Sequence, residues 1–224
     1  MGFPSGAVAF RLSGRHALAC LICAALIAIS GLISSPRAGE LSERDRADVR
    51  LVTDYLNQVK SLRAEFVQAG PSGQIATGQL YIRRPNRLRF EYDPPSPLLL
   101  VADGLWLIMY DRELDQVDRW PIADTPLGVL VAPKVDLNRQ VEVVDVTREP
   151  GILALTFRDR ENPEEGSVTV FFSEPPLTLR QWRVIDAGGQ ATDLSLRNSR
   201  VNVDVDAALF SFQDKIGSGE DQGR

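Results

Sequence analysis

Apolar residues recur first at helical spacing along the chain, and then at every second position for most of the remaining length. Val49, Val52, Leu56 and Val59 follow one another at intervals of three, four and three, with Tyr55 widening the row. That spacing predicts an amphipathic helix over about residues 42–60, with Arg46, Asp48, Arg50 and Asp54 on its polar face. Ser42 is the expected N-cap, and Asp45 three residues on completes a box-like start. The apolar row must pack on another layer.

The period then switches to two. Leu62, Ala64 and Phe66 alternate with Arg63 and Glu65, and Gln74 to Arg83 continues the pattern. Leu80 and Ile82 alternate with Tyr81 and Arg83. After Arg84-Pro85-Asn86, Leu88, Phe90 and Tyr92 alternate with Arg87, Arg89 and Glu91. Pro85 fixes its own φ and drives Arg84 towards extended backbone, while Asn86 tolerates turn geometry. Two strands therefore meet at a corner, with an apolar row on one face and Arg83, Arg84 and Arg87 around the turn. Further strands are expected over 98–102 and 105–110, joined at Asp103-Gly104, and over 116–120. Four or five more are expected, over 140–147, 152–158, 167–173, 178–185 and 191–199. A short terminal element is read at 207–212.

The pair around Asp103-Gly104 is apolar on both faces, so it must be covered on both sides. Thr125 as N-cap and Pro126 at the first helical position predict a short apolar helix over 125–132. About eleven antiparallel strands in one sheet curl towards a barrel. The expected fold is mainly β with helices: an incomplete antiparallel barrel closed by a helical lid. Both helices, the first through Val49, Val52, Leu56 and Val59, are candidates for that lid. Periodicity leaves open whether the interior is a filled core or an apolar cavity. The candidate lining of a cavity includes Leu80, Ile82, Tyr92, Leu100, Trp106 and Ile108.

Composition alters this picture at the N-terminus. Arg11 and Arg15 precede an uncharged run from Ala17 to Ile33, followed by Ser34-Ser35-Pro36-Arg37-Ala38. Residues 1–38 read as a secretory signal peptide cleaved near Ala38, with an uncleaved anchor as the alternative. The domain then runs over 39–216, and 217–224 is a small, polar tail expected to fray. Cys20 and Cys23, the two cysteines of the chain, and His16, its one histidine, leave with the signal. Neither cysteine stands where a lipid-modified one would. Loss of Arg11, Arg15 and Arg37 takes the formal charge from −5 to −8. Bulk electrostatics then disfavour nucleic acid and favour basic protein partners.

A chain without His or Cys cannot build a Ser-His-Asp triad, a Cys-His pair or a typical zinc site. Asp159, Glu161, Glu164 and Glu165 cluster in a turn-rich segment, where a solvated loop is the simpler reading than a pair of catalytic carboxylates. No enzyme activity, cofactor or metal is expected. The constructive alternative is an apolar ligand held inside the curled sheet.

Several segments, in order, carry a resemblance: Ala64-Glu-Phe-Val-Gln68, Gly78 to Asn86, Phe90-Glu-Tyr92, Val101-Ala-Asp-Gly104 with Trp106 and Tyr110, and Thr125-Pro126 before an apolar helix. Together they resemble the LolA family of outer-membrane lipoprotein carrier proteins over about residues 42–214. The resemblance implies an incomplete eleven-stranded barrel under a helical lid, in a monomeric protein of the periplasm. It implies acylated lipoproteins as cargo, an inner-membrane ABC lipoprotein transporter as donor and an outer-membrane acceptor as recipient. By the same resemblance Arg84, just before the proline of the corner, matches the arginine that latches the lid. Leu88 and Phe90 match cavity aromatics, with Leu88 departing from the aromatic type, and Leu130 and Val131 match helix residues facing the cavity. A relative of the fold that binds other lipids, or senses envelope stress, remains the alternative.

Overall fold

A computed structural model describes residues 41–212, so the expected signal segment and tail lie outside the described residues. α1 (Glu43–Gln58) begins as its sequence predicts. The Ser42 hydroxyl accepts from the Asp45 amide at 3.1 Å, and the Ser42 amide donates to Asp45 Oδ2 at 3.0 Å. Two otherwise unpaired amides of the first turn are thereby satisfied. Ser42→Ala is expected to cost about 1 kcal/mol. A thermal melt should show this as a drop of roughly 2–4 °C; an unchanged midpoint would mean that the cap contributes nothing.

All eleven strands form where the alternation places them, with ends within two residues of expectation. They are β1 (Ser61–Ala69), β2 (Ile75–Arg83), β3 (Arg87–Tyr92), β4 (Leu98–Asp103), β5 (Trp106–Asp111), β6 (Gln116–Pro121), β7 (Val141–Glu149), β8 (Ile152–Asp159), β9 (Gly166–Ser173), β10 (Thr178–Asp186) and β11 (Ala191–Val201). They make a single sheet in the order β6-β5-β4-β3-β2-β1-β11-β10-β9-β8-β7, antiparallel throughout. β6 and β7 are its two edges, so the sheet is not closed. The chain crosses from one edge to the other through a 3-10 turn (Ile122–Asp124), α2 (Pro126–Val131) and α3 (Leu137–Gln140).

The sheet is strongly curled. Four strand spacings separate β3 from β10, about 19 Å in a flat sheet. Yet the rings of Phe90 on β3 and Trp182 on β10 lie 6.2 Å apart, edge to face. The inner face is thus a concave wall whose opposite sides meet. Phe66 on β1 extends this contact, 5.4 Å from Phe90 and 5.0 Å from Tyr92. Gly78 makes room for it, since a Cβ there would stand 2.7 Å from the Phe66 ring and 2.1 Å from the Glu91 carbonyl oxygen.

Val49, Val52 and Leu56 of α1 and Val59 at its C-cap are buried in the main core, and Tyr55 packs edge-on against Phe172 of β9. Asp48 departs from the expected pattern. Assigned by spacing to the polar face, it is 7% exposed. Its carboxylate accepts from Nε and Nη2 of Arg148 on β7, at 3.0 and 2.6 Å, while Nη1 of the same arginine binds Glu174 beyond β9.

The doubly apolar strands are covered by a segment that the pattern did not single out for this task. Leu99, Val101 and Ile108 point to the convex side. There the chain after β11 lies across β3 and β4, with a 3-10 turn at Ala207–Phe210 and with Val205 and Phe210 buried. Arg83 and Arg89 donate to the Val205 and Leu209 carbonyls, at 3.3 and 3.2 Å. Helices were the expected cover, but among the described residues the α-helices pack on the concave side.

Candidate functional site

The corner between β2 and β3 is as predicted: Arg83 pairs with Arg87, and Asn86 takes the left-handed conformation at φ 55°. The end of α2 rests against it. A helix leaves its last carbonyls without intrahelical partners, and here the corner supplies them. The Asn86 amide donates to the Val131 carbonyl at 2.8 Å. Arg84 Nη1 donates to the Ala132 carbonyl at 3.2 Å, and Nη2 donates to that of Leu130. Asn57 of α1 adds a reciprocal pair with the backbone of Val135, at 2.8 and 3.0 Å. The connection between the sheet edges is therefore tied down along residues 130–135.

Arg84 sits half-buried with no carboxylate partner among the described residues, and its Nε lacks a hydrogen-bond partner there. Desolvation holds its pKa down to about 10. It remains cationic at neutral pH, but its charge is expensive where it lies. The tie is thus a balance between charge-assisted hydrogen bonds and a desolvation cost, and such a balance can be reversed.

Beside α2 a cleft of about 450 Å³ opens between the two sides of the curled sheet. Phe90, Tyr92, Leu100, Leu107, Trp182 and Leu194 form its wall, Trp120 stands at its margin, and Leu127 of α2 borders it. Burial pushes the Tyr92 phenol up to about 12, and the hydroxyl donates to Gln68 Oε1 at 2.8 Å. Tyr92 therefore presents a neutral ring.

Three of the expected lining residues, Phe90, Tyr92 and Leu100, do line this cleft. Leu80, Leu88, Leu130 and Val131 are buried in the main cluster, with Ile82 packed against it, so the interior near the corner is filled. Trp106 and Ile108 must be corrected. Strand register aligns Phe90, Leu100 and Met109 on the inner face and Arg89, Val101 and Ile108 on the outer. Ile108 is covered on the convex side and Trp106 is 44% exposed there. A strand apolar on both faces gives alternation nothing to choose between. α1 also contributes nothing to this cleft, which leaves α2 as the helix at the opening among the described residues. Leu107, Trp120, Trp182 and Leu194 were not anticipated. For Trp182 the obstacle is a bulge in β10 between Leu179 and Gln181, which shifts the inward phase by one.

An open antiparallel half-barrel with an apolar cleft under a tethered helical connection is the class of protein that these features define. Residues 57–213 match the family described as outer membrane lipoprotein carrier protein LolA. The chain belongs to this family. It is 32% identical over 173 residues to the outer-membrane lipoprotein carrier protein of Alkalilimnicola ehrlichii, across 73% of this chain and 78% of that one. To the protein of the same description from Leptothrix cholodnii it is 28% identical over 180 residues, across 76% and 83%. A solved MucA/MucB complex from Pseudomonas aeruginosa is a more distant likeness, with a TM-score of 0.45 and 14% identity, over 75% of this chain and 61% of that one.

Proposed function

We propose that this protein carries acylated proteins across the periplasm, shielding their acyl chains inside the half-barrel. The observation that carries the reading is an apolar cleft beside a helix whose last carbonyls are held by a desolvated arginine with no carboxylate partner among the described residues. In this reading Arg84 is the latch and α2 the lid. Loading lifts α2 and breaks the Arg84 bonds, and burial of acyl surface, about 0.8 kcal/mol per methylene, drives that opening. Export through residues 1–38 places the protein in the periplasm. In this reading an inner-membrane ABC transporter supplies the cargo there and an outer-membrane acceptor receives it. Carriage of this kind requires no bond-making chemistry, so no enzymatic role is assigned.

The test is to purify the protein from the periplasm under mild conditions and examine what accompanies it by mass spectrometry. Acylated proteins should be present, and the emptied protein should bind a fluorescent fatty-acyl probe. An empty protein that also fails to bind the probe would remove the carrier reading.

A further inference from the structure

We infer that α2 does more than cover one cavity: it divides the interior into two seats, each sized for one acyl chain. The inference rests on the carrier reading and assigns the arrangement of the cargo. A second cleft, of about 480 Å³, lies on the other side of α2. Its apolar wall comes from the far half of the sheet, through Val141, Phe157, Val168 and Ile185, and Gln140, Arg158, Asp159 and Glu165 line it as well. The two clefts share only Asp124, Thr125 and Val184, at the start of α2 and on the strand beneath it. Leu127 borders the first cleft and Val129 the second. Two residues along a helix are about 200° apart, so these side chains leave opposite faces of α2.

Gly128, between them, lets the helix stand in that position. A Cβ there would lie 2.2 Å from the Ile122 carbonyl oxygen, and the Gly128 amide is bound by Thr125 Oγ1 at 3.3 Å. The close approach folds α2 back over the preceding turn and into the middle of the opening.

Size identifies the occupant. A methylene fills about the space of a water molecule, about 30 Å³, so the clefts correspond to about 15 and 16 methylenes. The two clefts are alike in volume, and each is of the order of one common fatty-acyl chain. Two chains of a cargo therefore settle on either side of α2, and a third, which has no seat, lifts the helix and breaks the Arg84 bonds.

Titration with palmitate, followed by native mass spectrometry, should show two bound per chain. Leu127→Phe and Val129→Phe should each reduce this to one. Trp120 and Trp182 border only the first cleft. Quenching of tryptophan fluorescence by brominated palmitate should therefore be lost in Leu127→Phe and kept in Val129→Phe. Saturation of the unmodified protein at one palmitate would overturn the two-seat inference and leave the carrier reading standing, as would equal loss of quenching in both variants. No binding at all would remove the carrier reading and this inference with it. The unmodified protein alone decides the number of seats, even if a variant fails to fold.

Discussion

Replacing Arg84 with leucine is expected to leave the protein loaded and unable to deliver. The closed state would lose two charge-assisted hydrogen bonds, to the Leu130 and Ala132 carbonyls. Bonds of this type contribute roughly 1.5–3 kcal/mol each, and relief of the desolvation cost at Arg84 returns part of the loss. A net shift of roughly 2–3 kcal/mol remains, or roughly 30- to 150-fold towards the open, cargo-bound state. The magnitude matters because of what it is weighed against. Burying one acyl chain contributes of the order of 10 kcal/mol, so cargo does not leave for water on any useful timescale. Transfer between two apolar cavities, by contrast, exchanges one burial for another. On the proposed carrier reading, the closure energy of the empty protein decides the direction in that near-balance. Arg84→Leu should therefore increase the acylated protein that co-purifies and abolish its release to acceptor-containing vesicles, with the fold intact by circular dichroism. Release at the unmodified rate would remove Arg84 from the latch role. Arg84→Lys should be intermediate, because an ammonium keeps the charge but cannot reach both carbonyls with a planar fork.

The corner that holds this arginine was legible in the chain because each of its signals is local. Alternation fixes the faces of β2 and β3, Pro85 and Asn86 fix the turn, and Ser42 with Thr125 fixes where two helices begin. All of that needs only neighbours within a few residues. What the residues alone left undecided depends on contacts between distant segments. Asp48 belongs to a polar face by spacing, yet its partner Arg148 lies 100 residues away. The cover over the convex side of β3 and β4 comes from the segment after β11, whose small apolar content, Val205 and Phe210, gives no period to recognise. Trp106 and Ile108 lie on a strand that is apolar on both faces, so only the pairing of Val101 with Ile108 decides which way they point. The clefts were also beyond reach, because alternation reports which side chains point inward and not whether they meet. Near the corner they do meet, through Leu80 and Leu88; around Tyr92 and Leu100 they do not. That distinction depends on the curl of the sheet and on the path of α2, both properties of the whole chain.

The largest expected loss of stability is for Arg148→Ala. Arg148 serves two carboxylates, Asp48 on α1 and Glu174 beyond β9, and the Asp48 side chain is nearly buried. Proximity to Asp48 first, and then to Glu174, raises the pKa of the guanidinium above its ordinary value, so the group is charged at every accessible pH. Removing it strands two anions, one of them where water cannot compensate, and breaking a buried pair in this way costs about 3–5 kcal/mol. In a domain of this size that should lower the melting midpoint by roughly 8–15 °C. A fall under about 3 °C would mean that solvent already screens the bridge. Asp48→Ala should cost less, since Arg148 keeps Glu174 as a partner. The double variant should fall short of the sum of the two single losses, because each single loss includes a stranded partner. The consequence reaches the opening of the half-barrel. α1 is bound at its start to β7 through this bridge and at its end to Val135 through Asn57. Loosening its first turns should therefore weaken the hold on the connection that carries α2. Faster hydrogen exchange at residues 130–135 in Arg148→Ala than in Ser42→Ala, compared at matched stability, is the expected sign that the bridge supports the connection as well as the helix.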